Sequence, residues 1–159
     1  MLASSPPDPS GHDLFEGIVR QVGDAIVFAD REGVIRVWNR GAEALFGFAA
    51  SEAVGRSLDL IVPERFRQAH WAAFDRAIAQ GRGQHEGQVR TTRALHGDGR
   101  KLYVDMSFGV VTGGDGSVLG SVAMARDATA RREAEAALRA RIEALTRDVS
   151  DGGDSEPAP

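Results

Sequence analysis

The segment from Asp30 to Gly47 restricts most tightly what this chain can fold into. Asp30-Arg31-Glu32-Gly33 is a polar turn between two apolar runs, Ala25 to Ala29 and Val34 to Trp38. The second run alternates as a half-buried strand does, so the pair reads as an antiparallel hairpin. Asn39 ends the second strand. Its short amide can bond the backbone where the chain turns, and it stands where a helix cap is wanted before Ala42, Leu45 and Phe46. A hairpin that feeds directly into a short helix ending at Gly47 makes two walls of an enclosed space.

Length bounds the rest. A chain of 159 residues holds one domain with a proper core plus appendages. It contains no cysteine, which removes disulfides, thiolate nucleophiles, cysteine-ligated zinc and any flavin-cysteinyl photochemistry. With 23 acidic against 19 basic residues the formal charge is -4, and no basic face stands out that would favour nucleic acid as a partner. No run approaches the ~18 apolar residues that span a bilayer, and the N-terminus lacks the basic and apolar regions of a signal peptide. The expectation is a cytoplasmic protein with no membrane contact.

The chain divides into four parts: a tail over 1–11, rich in Ser and Pro; a folded domain with an N-terminal flanking helix over 12–127; a helix over 128–149; and a tail over 150–159 with nothing apolar to bury. Both tails are expected to be disordered. Within the domain, Leu14, Phe15, Ile18, Val19 and Val22 fall on one face of a helix from about His12 to Val22. The hairpin and the helix from Gly41 to Gly47 follow, then a turn of helix at Ser51 to Val54 capped by Ser51. Pro63 opens a longer helix, at a position where a missing N–H costs nothing, and that helix ends near Gly81. Strands are expected at Gly87 to Leu95, Lys101 to Val111 and Val118 to Ala125, separated by His96-Gly97-Asp98-Gly99 and Gly113-Gly114-Asp115-Gly116. Five strands with the helices gathered between the second and third make an α+β fold, an antiparallel sheet with helices on one face.

Two patterns carry candidate function. On the helix after Pro63, the spacing puts Phe66, His70, Phe74 and Ile78 in one row, apolar except for the imidazole, so His70 faces the interior. A neutral imidazole among apolar walls can ligate haem iron, or it can be an ordinary core or edge histidine. Met106 and Phe108, with Val104 and Val110, lie on one side of a strand and line the interior in either case. Arg90 and Arg93 are read as solvated strand residues unless Arg90 points inward, and Trp38 and Trp71 as packing or surface residues. No nucleophile–base set or metal cluster appears, so the chain is expected not to be an enzyme. The second pattern is C-terminal. Thr129 can cap a helix on which Leu138, Ile142, Leu145 and Val149 follow a d-a-d-a spacing, a coiled-coil seam of about two heptads that suits a homodimer.

Asn39, Ala42-Glu43, Leu45-Phe46-Gly47, Glu52, Val54-Gly55, Asp98-Gly99 and Arg126-Asp127-Ala128-Thr129 stand in the order of a PAS sensor domain of the S-box type, and the chain resembles that family over roughly residues 12–130. The resemblance implies a five-stranded antiparallel sheet whose helical flank can hold a small ligand. The segment from His70 through Gly81 and Arg90 to Asp98-Gly99 is similar to the haem-binding PAS domains of bacterial oxygen sensors. For this chain that implies haem b as the candidate cofactor, with His70 on the iron, Arg90 hydrogen-bonding bound oxygen, Arg76 near a propionate, and Met106 and Phe108 on the distal side. Gln88, where a related sensor has a methionine ligand, and His85, where the family is often apolar, depart from the pattern. The resemblance further implies relay of a ligand or redox signal through Asp127 into the exiting helix, and from there to a partner kinase or transcription regulator. The alternative is a cofactor-free PAS module for protein interaction or dimerisation.

Overall fold

A computed structural model describes residues 11–83 and 87–151, the last four by backbone alone. The tail expectations for 1–10 and 152–159, and His85, lie outside the described residues. The described residues form two compact units, divided between Asp127 and Ala128. The elements of the first are helix α1 (Gly11–Gln21), strands β1 (Ala25–Asp30) and β2 (Ile35–Trp38), helices α2 (Arg40–Phe46) and α3 (Ala50–Ala53), a 3-10 turn at Leu58–Leu60, helix α4 (Glu64–Gln80), and strands β3 (Arg90–Leu95), β4 (Lys101–Thr112) and β5 (Val118–Asp127).

The five strands form one antiparallel sheet in the order β2-β1-β5-β4-β3, as the α+β reading expects. The hairpin turn is built by Asp30, whose Oδ1 accepts from the N–H groups of Glu32 at 3.1 Å and Val34 at 2.9 Å. Gly33 completes it at φ +76°, a left-handed conformation that side chains with a Cβ disfavour. Asn39 both ends β2 and caps α2, accepting from the Ala42 N–H at 2.9 Å.

One face of the sheet carries the core. Buried positions alternate along β1 (Ala25, Val27, Ala29) and β4 (Leu102, Val104, Met106), and Ala94 and Ala125 continue the same face on β3 and β5. Phe46, Ile35 and Val104 are the largest fully enclosed side chains. Each contributes roughly 1.5–3 kcal/mol from removal of apolar surface from water. The edge of β2 is covered by its own chain. Val34 bridges to Ser57, the Ile35 N–H donates to Arg56 O at 2.8 Å, and the Gly55 N–H donates to Ile35 O at 2.8 Å. Strand β3 forms the other edge, and among the described residues its end is covered by the Leu95 N–H on Ile61 O at 2.9 Å.

Several boundaries differ from the sequence expectation. The strand expected from Gly87 starts at Arg90; Gln88 and Val89 are exposed and outside it, so they gain no burial from pairing. Ser51 does not cap the short helix. The chain enters at Ala49, whose N–H is taken by Glu52 Oε2 at 2.8 Å, while Glu43 takes the Ala50 N–H at 2.7 Å. Strand β5 runs on to Asp127. Thr129 is the first residue of the C-terminal helix rather than the cap before it. Pro63 and Gly81 do frame α4, Gly81 stopping it in a left-handed turn at φ +65°.

In the second unit, helix α5 (Thr129–Asp151) is ion-paired along one side, Arg131 and Arg132 meeting Glu135 at 2.9 and 3.0 Å. Leu138, Ile142 and Leu145 are exposed on it. The side chain of Val149 lies outside the described ones.

Candidate functional site

The site is assembled from α4 and the sheet face below the helices. On α4, Phe74 is buried, and Arg67, His70, Trp71, Ala77 and Ile78 are half-buried. Phe66 is not part of that face. It is exposed, with the Arg65 guanidinium 4.6 Å above its ring. In the turn before His70 the inner side is held by Arg67 instead of Phe66, and Trp71 widens that side next to His70. Three rings meet there: His70 and Trp71 edge to face at 5.2 Å, His70 and Phe74 stacked at 6.2 Å, and Trp71 and Phe74 edge to face at 5.4 Å.

His70 is the candidate ligand. Its Nδ1 is shut off from solvent and has no hydrogen-bond partner among the described residues. Burial pushes its pKa below the ordinary histidine value, and the negative charge of Asp59 opposes that only in part. The imidazole is therefore neutral at neutral pH, the form that binds iron.

The register of the sheet fixes what shares the inner face. Partners in adjacent strands point to the same side, so Ala25, Ala125, Met106 and Arg90 form one row across four strands. Arg90 thus sits on the face that carries the core, opposite Met106, although its side chain is exposed. Arg93 lies on the other face, its guanidinium 5.3 Å over the Tyr103 ring. The next rows are Val27–Ala123–Phe108 on one side and Thr92–Val104–Asp127 on the other. Met106 is 7% exposed and belongs to the core, whereas Phe108 is 44% exposed at the margin of the same face. Asp127 is exposed at the end of β5, two residues along the strand from Ala125, about 7 Å at strand rise, and it shares their face.

Arg76 lies outside the buried face of α4. It is exposed on the outer side of α4 among Ala72, Ala73 and Asp75. Gln88 is exposed before β3. Two residues that sequence reasoning passed over do belong here. Asp59 accepts from Trp71 Nε1 at 2.9 Å, and Arg67 secures the same segment by donating to Asp59 O at 3.1 Å and Val62 O at 3.2 Å. The sequence signal for Trp71 was its position three residues before Phe74.

The set comprises a neutral imidazole on α4 and, on the sheet face that carries the core, the small side chains Ala25, Ala123 and Ala125 together with Arg90. The profile of the family described as the PAS fold matches residues 13–128. The chain belongs to the PAS family. Among sequence relatives, the PAS domain is 28% identical over 123 residues to the sensor protein FixL of Bradyrhizobium diazoefficiens, a match covering 77% of this chain and 24% of that protein. It is 25% identical over 139 residues to the oxygen sensor protein DosP of Escherichia coli, covering 86% of this chain and 17% of that protein. The chain thus spans a quarter or less of the length of these two relatives. Among solved structures, the PAS domain of a protein from Colwellia psychrerythraea superposes with a TM-score of 0.63 at 25% identity, over 73% of this chain and 95% of that one. Among the described residues no helix is long and apolar enough to cross a membrane.

Proposed function

We propose that this PAS domain is a sensory module that takes haem b on His70 and passes a ligand or redox change at that group through Asp127 and α5 to a partner kinase or transcription regulator. The observation that carries the reading is the neutral, half-buried imidazole on the inner side of α4, whose Nδ1 is enclosed and leaves Nε2 to meet a metal. Haem, when bound, supplies an iron centre at which a small gas can exchange. The residues of the chain do the rest: His70 holds the group, Ala123 and Ala125 leave it room, Met106 gives it an apolar wall, and Arg90 brings a donor to the same row of the sheet. Asp127 is one row from Met106 and is the last residue of β5, so a shift in that row reaches the start of α5 by the shortest route. Similarity to an oxygen sensor protein and to a sensor protein supports the class of signal. No catalytic step enters this reading, and the site of action is cytoplasmic.

The test is reconstitution of the purified protein with haemin. A Soret band is expected in wild type and absent in His70→Ala; a wild-type protein that stays colourless would overturn the haem assignment. Asp127→Ala should keep the band and lose any ligand-dependent change in self-association.

A second reading has its own support. Trp71 and Phe74 already pack against His70, and Leu14, Phe15 and Ile18 on α1 are exposed, as are Leu138, Ile142 and Leu145 on α5. A cofactor-free module that works by dimerisation through such faces fits those facts. It predicts a homodimer whose affinity is the same with and without haemin.

A further inference from the structure

We propose that Asp59 and Trp71 act as a positioning pair that sets the orientation of the His70 imidazole, an inference that rests on His70 being the ligand-binding residue. A ligating histidine is ordinarily aimed by a hydrogen bond from its second ring nitrogen to a carboxylate or carbonyl. His70 has no such bond among the described residues, since its Nδ1 is enclosed and unpartnered. Its direction is therefore fixed by ring packing alone, against the Trp71 edge at 5.2 Å and the Phe74 face at 6.2 Å.

Of these two rings, Trp71 is the one tied to something else. Its Nε1 donates to Asp59 Oδ1 at 2.9 Å. The carboxylate that would ordinarily aim the histidine directly holds its neighbour instead. The far end of the indole rests on the hairpin turn: a Cβ at Gly33 would stand 2.3 Å from Trp71 Cη2 and Cζ3. Asp59 is itself fastened at both ends. Arg67 donates to its carbonyl at 3.1 Å, and the adjoining Leu58 N–H donates to Gly33 O at 3.1 Å. The indole is thus pinned between the turn of the β1–β2 hairpin and the 3-10 turn, and His70 is set by the pinned ring.

The experiment reads the His70 ring protons by NMR in the protein without haemin, identified by their loss in His70→Gln. Neighbouring rings displace these resonances, so they report orientation. Asp59→Ala is expected to move them further than any resonance of His12, His85 or His96. Asp59→Asn retains an Oδ1 acceptor for the indole and, read well above the His70 pKa so that loss of the Asp59 charge leaves the imidazole neutral, is expected to leave them near the wild-type positions. Trp71→Phe, which keeps an aromatic ring without the anchoring N–H, should move them as Asp59→Ala does, and it serves if that variant does not fold. Haemin titration forms the second arm: Asp59→Ala should weaken binding by about 10–100-fold, the usual consequence of removing an outer-shell partner, and Asp59→Asn should restore it. Unmoved His70 resonances in a folded Asp59→Ala or Trp71→Phe protein would overturn the proposal, as would an equal displacement in Asp59→Asn. If wild type takes up no haemin, the haem reading falls while the resonances still decide the role of the pair.

Discussion

Replacing Asn39 by alanine should remove more stability than the loss of a helix cap explains. Asn39 is 4% exposed and is the buried polar side chain among the described residues. Its Oδ1 accepts from the Ala42 N–H at 2.9 Å and from the Ile26 N–H at 2.8 Å, and its Nδ2 donates to Val19 O at 3.0 Å, Val22 O at 3.4 Å and Asp24 O at 2.9 Å. Loss of the cap costs about 1 kcal/mol. The strand N–H of Ile26, left without an acceptor, adds roughly 1–3 kcal/mol, and the carbonyls at the end of α1 lose a shared donor. The sum is about 3 kcal/mol, out of a total of roughly 5–15 kcal/mol for a domain. That corresponds to a fall in Tm of about 10 °C for a chain of this size. Urea denaturation with an unchanged m-value is the assay. Asn39→Asp supplies the control, because a carboxylate keeps both acceptor bonds but turns a negative oxygen toward three carbonyls. It should be at least as destabilised as Asn39→Ala at neutral pH. Protonation restores a donor, so its deficit against wild type should narrow as the pH falls. A loss near 1 kcal/mol for alanine, or wild-type stability for Asn39→Asp, would refute the view that Asn39 ties α1 to the hairpin.

Three further outcomes follow from the geometry. Gly33→Ala places a methyl group 2.3 Å from the Trp71 ring at a backbone φ of +76° and should cost roughly 2–4 kcal/mol by urea denaturation, from the left-handed conformation and the overpacking together. Burial pushes the Asp30 carboxyl up, but the Val34 N–H, the Arg36 guanidinium 2.6 Å away and the Glu32 N–H outweigh it and hold the group low. A carboxyl depressed on folding stabilises above its unfolded pKa and loses that contribution as pH falls through its folded one, so the stability gap between wild type and Asp30→Asn should be widest near pH 7 and close below the ordinary value of 3.8. Ile142→Lys puts a charge into the exposed row with Leu138 and Leu145; if that row is a dimer seam, sedimentation equilibrium will show a weaker dimer with unchanged helix content by circular dichroism.

The hairpin, its turn and the Asn39 cap were legible because the bonds that make them run between near neighbours of recognisable type. Asp30 bonds residues two and four ahead, and Asn39 bonds the residue three ahead. The second set of bonds made by Asn39, back to α1, leaves no such mark. The row on α4 was only half legible. Periodicity places His70 and Phe74 together, but a helix with aromatic residues at 66, 70, 71 and 74 can roll toward either flank. What decides the roll is an acceptor twelve residues away, Asp59, and a glycine in another element, Gly33. Likewise nothing local says that Arg90 shares the sheet face of Met106. That follows from its pairing with Met106, a register set by the turn at 96–99 and by the meander as a whole. Arg76 was placed by resemblance rather than by its own helix face, and the helix puts it outside.

The two ends of the sheet differ in what they offer to a passing strand. At β2 the ladder is closed by the Ser57 bridge and the bonds to Gly55 and Arg56, so no extended segment can be templated there. At β3 the free border runs through Arg90, Thr91, Thr92 and Arg93, all solvent-exposed and half of them cationic, a composition that repels a second copy of itself. Growth into a fibre needs an open, apolar border on at least one side. With one end sealed by main chain and the other guarded by charge, the described residues of the sheet give self-templated β-polymerisation no place to begin.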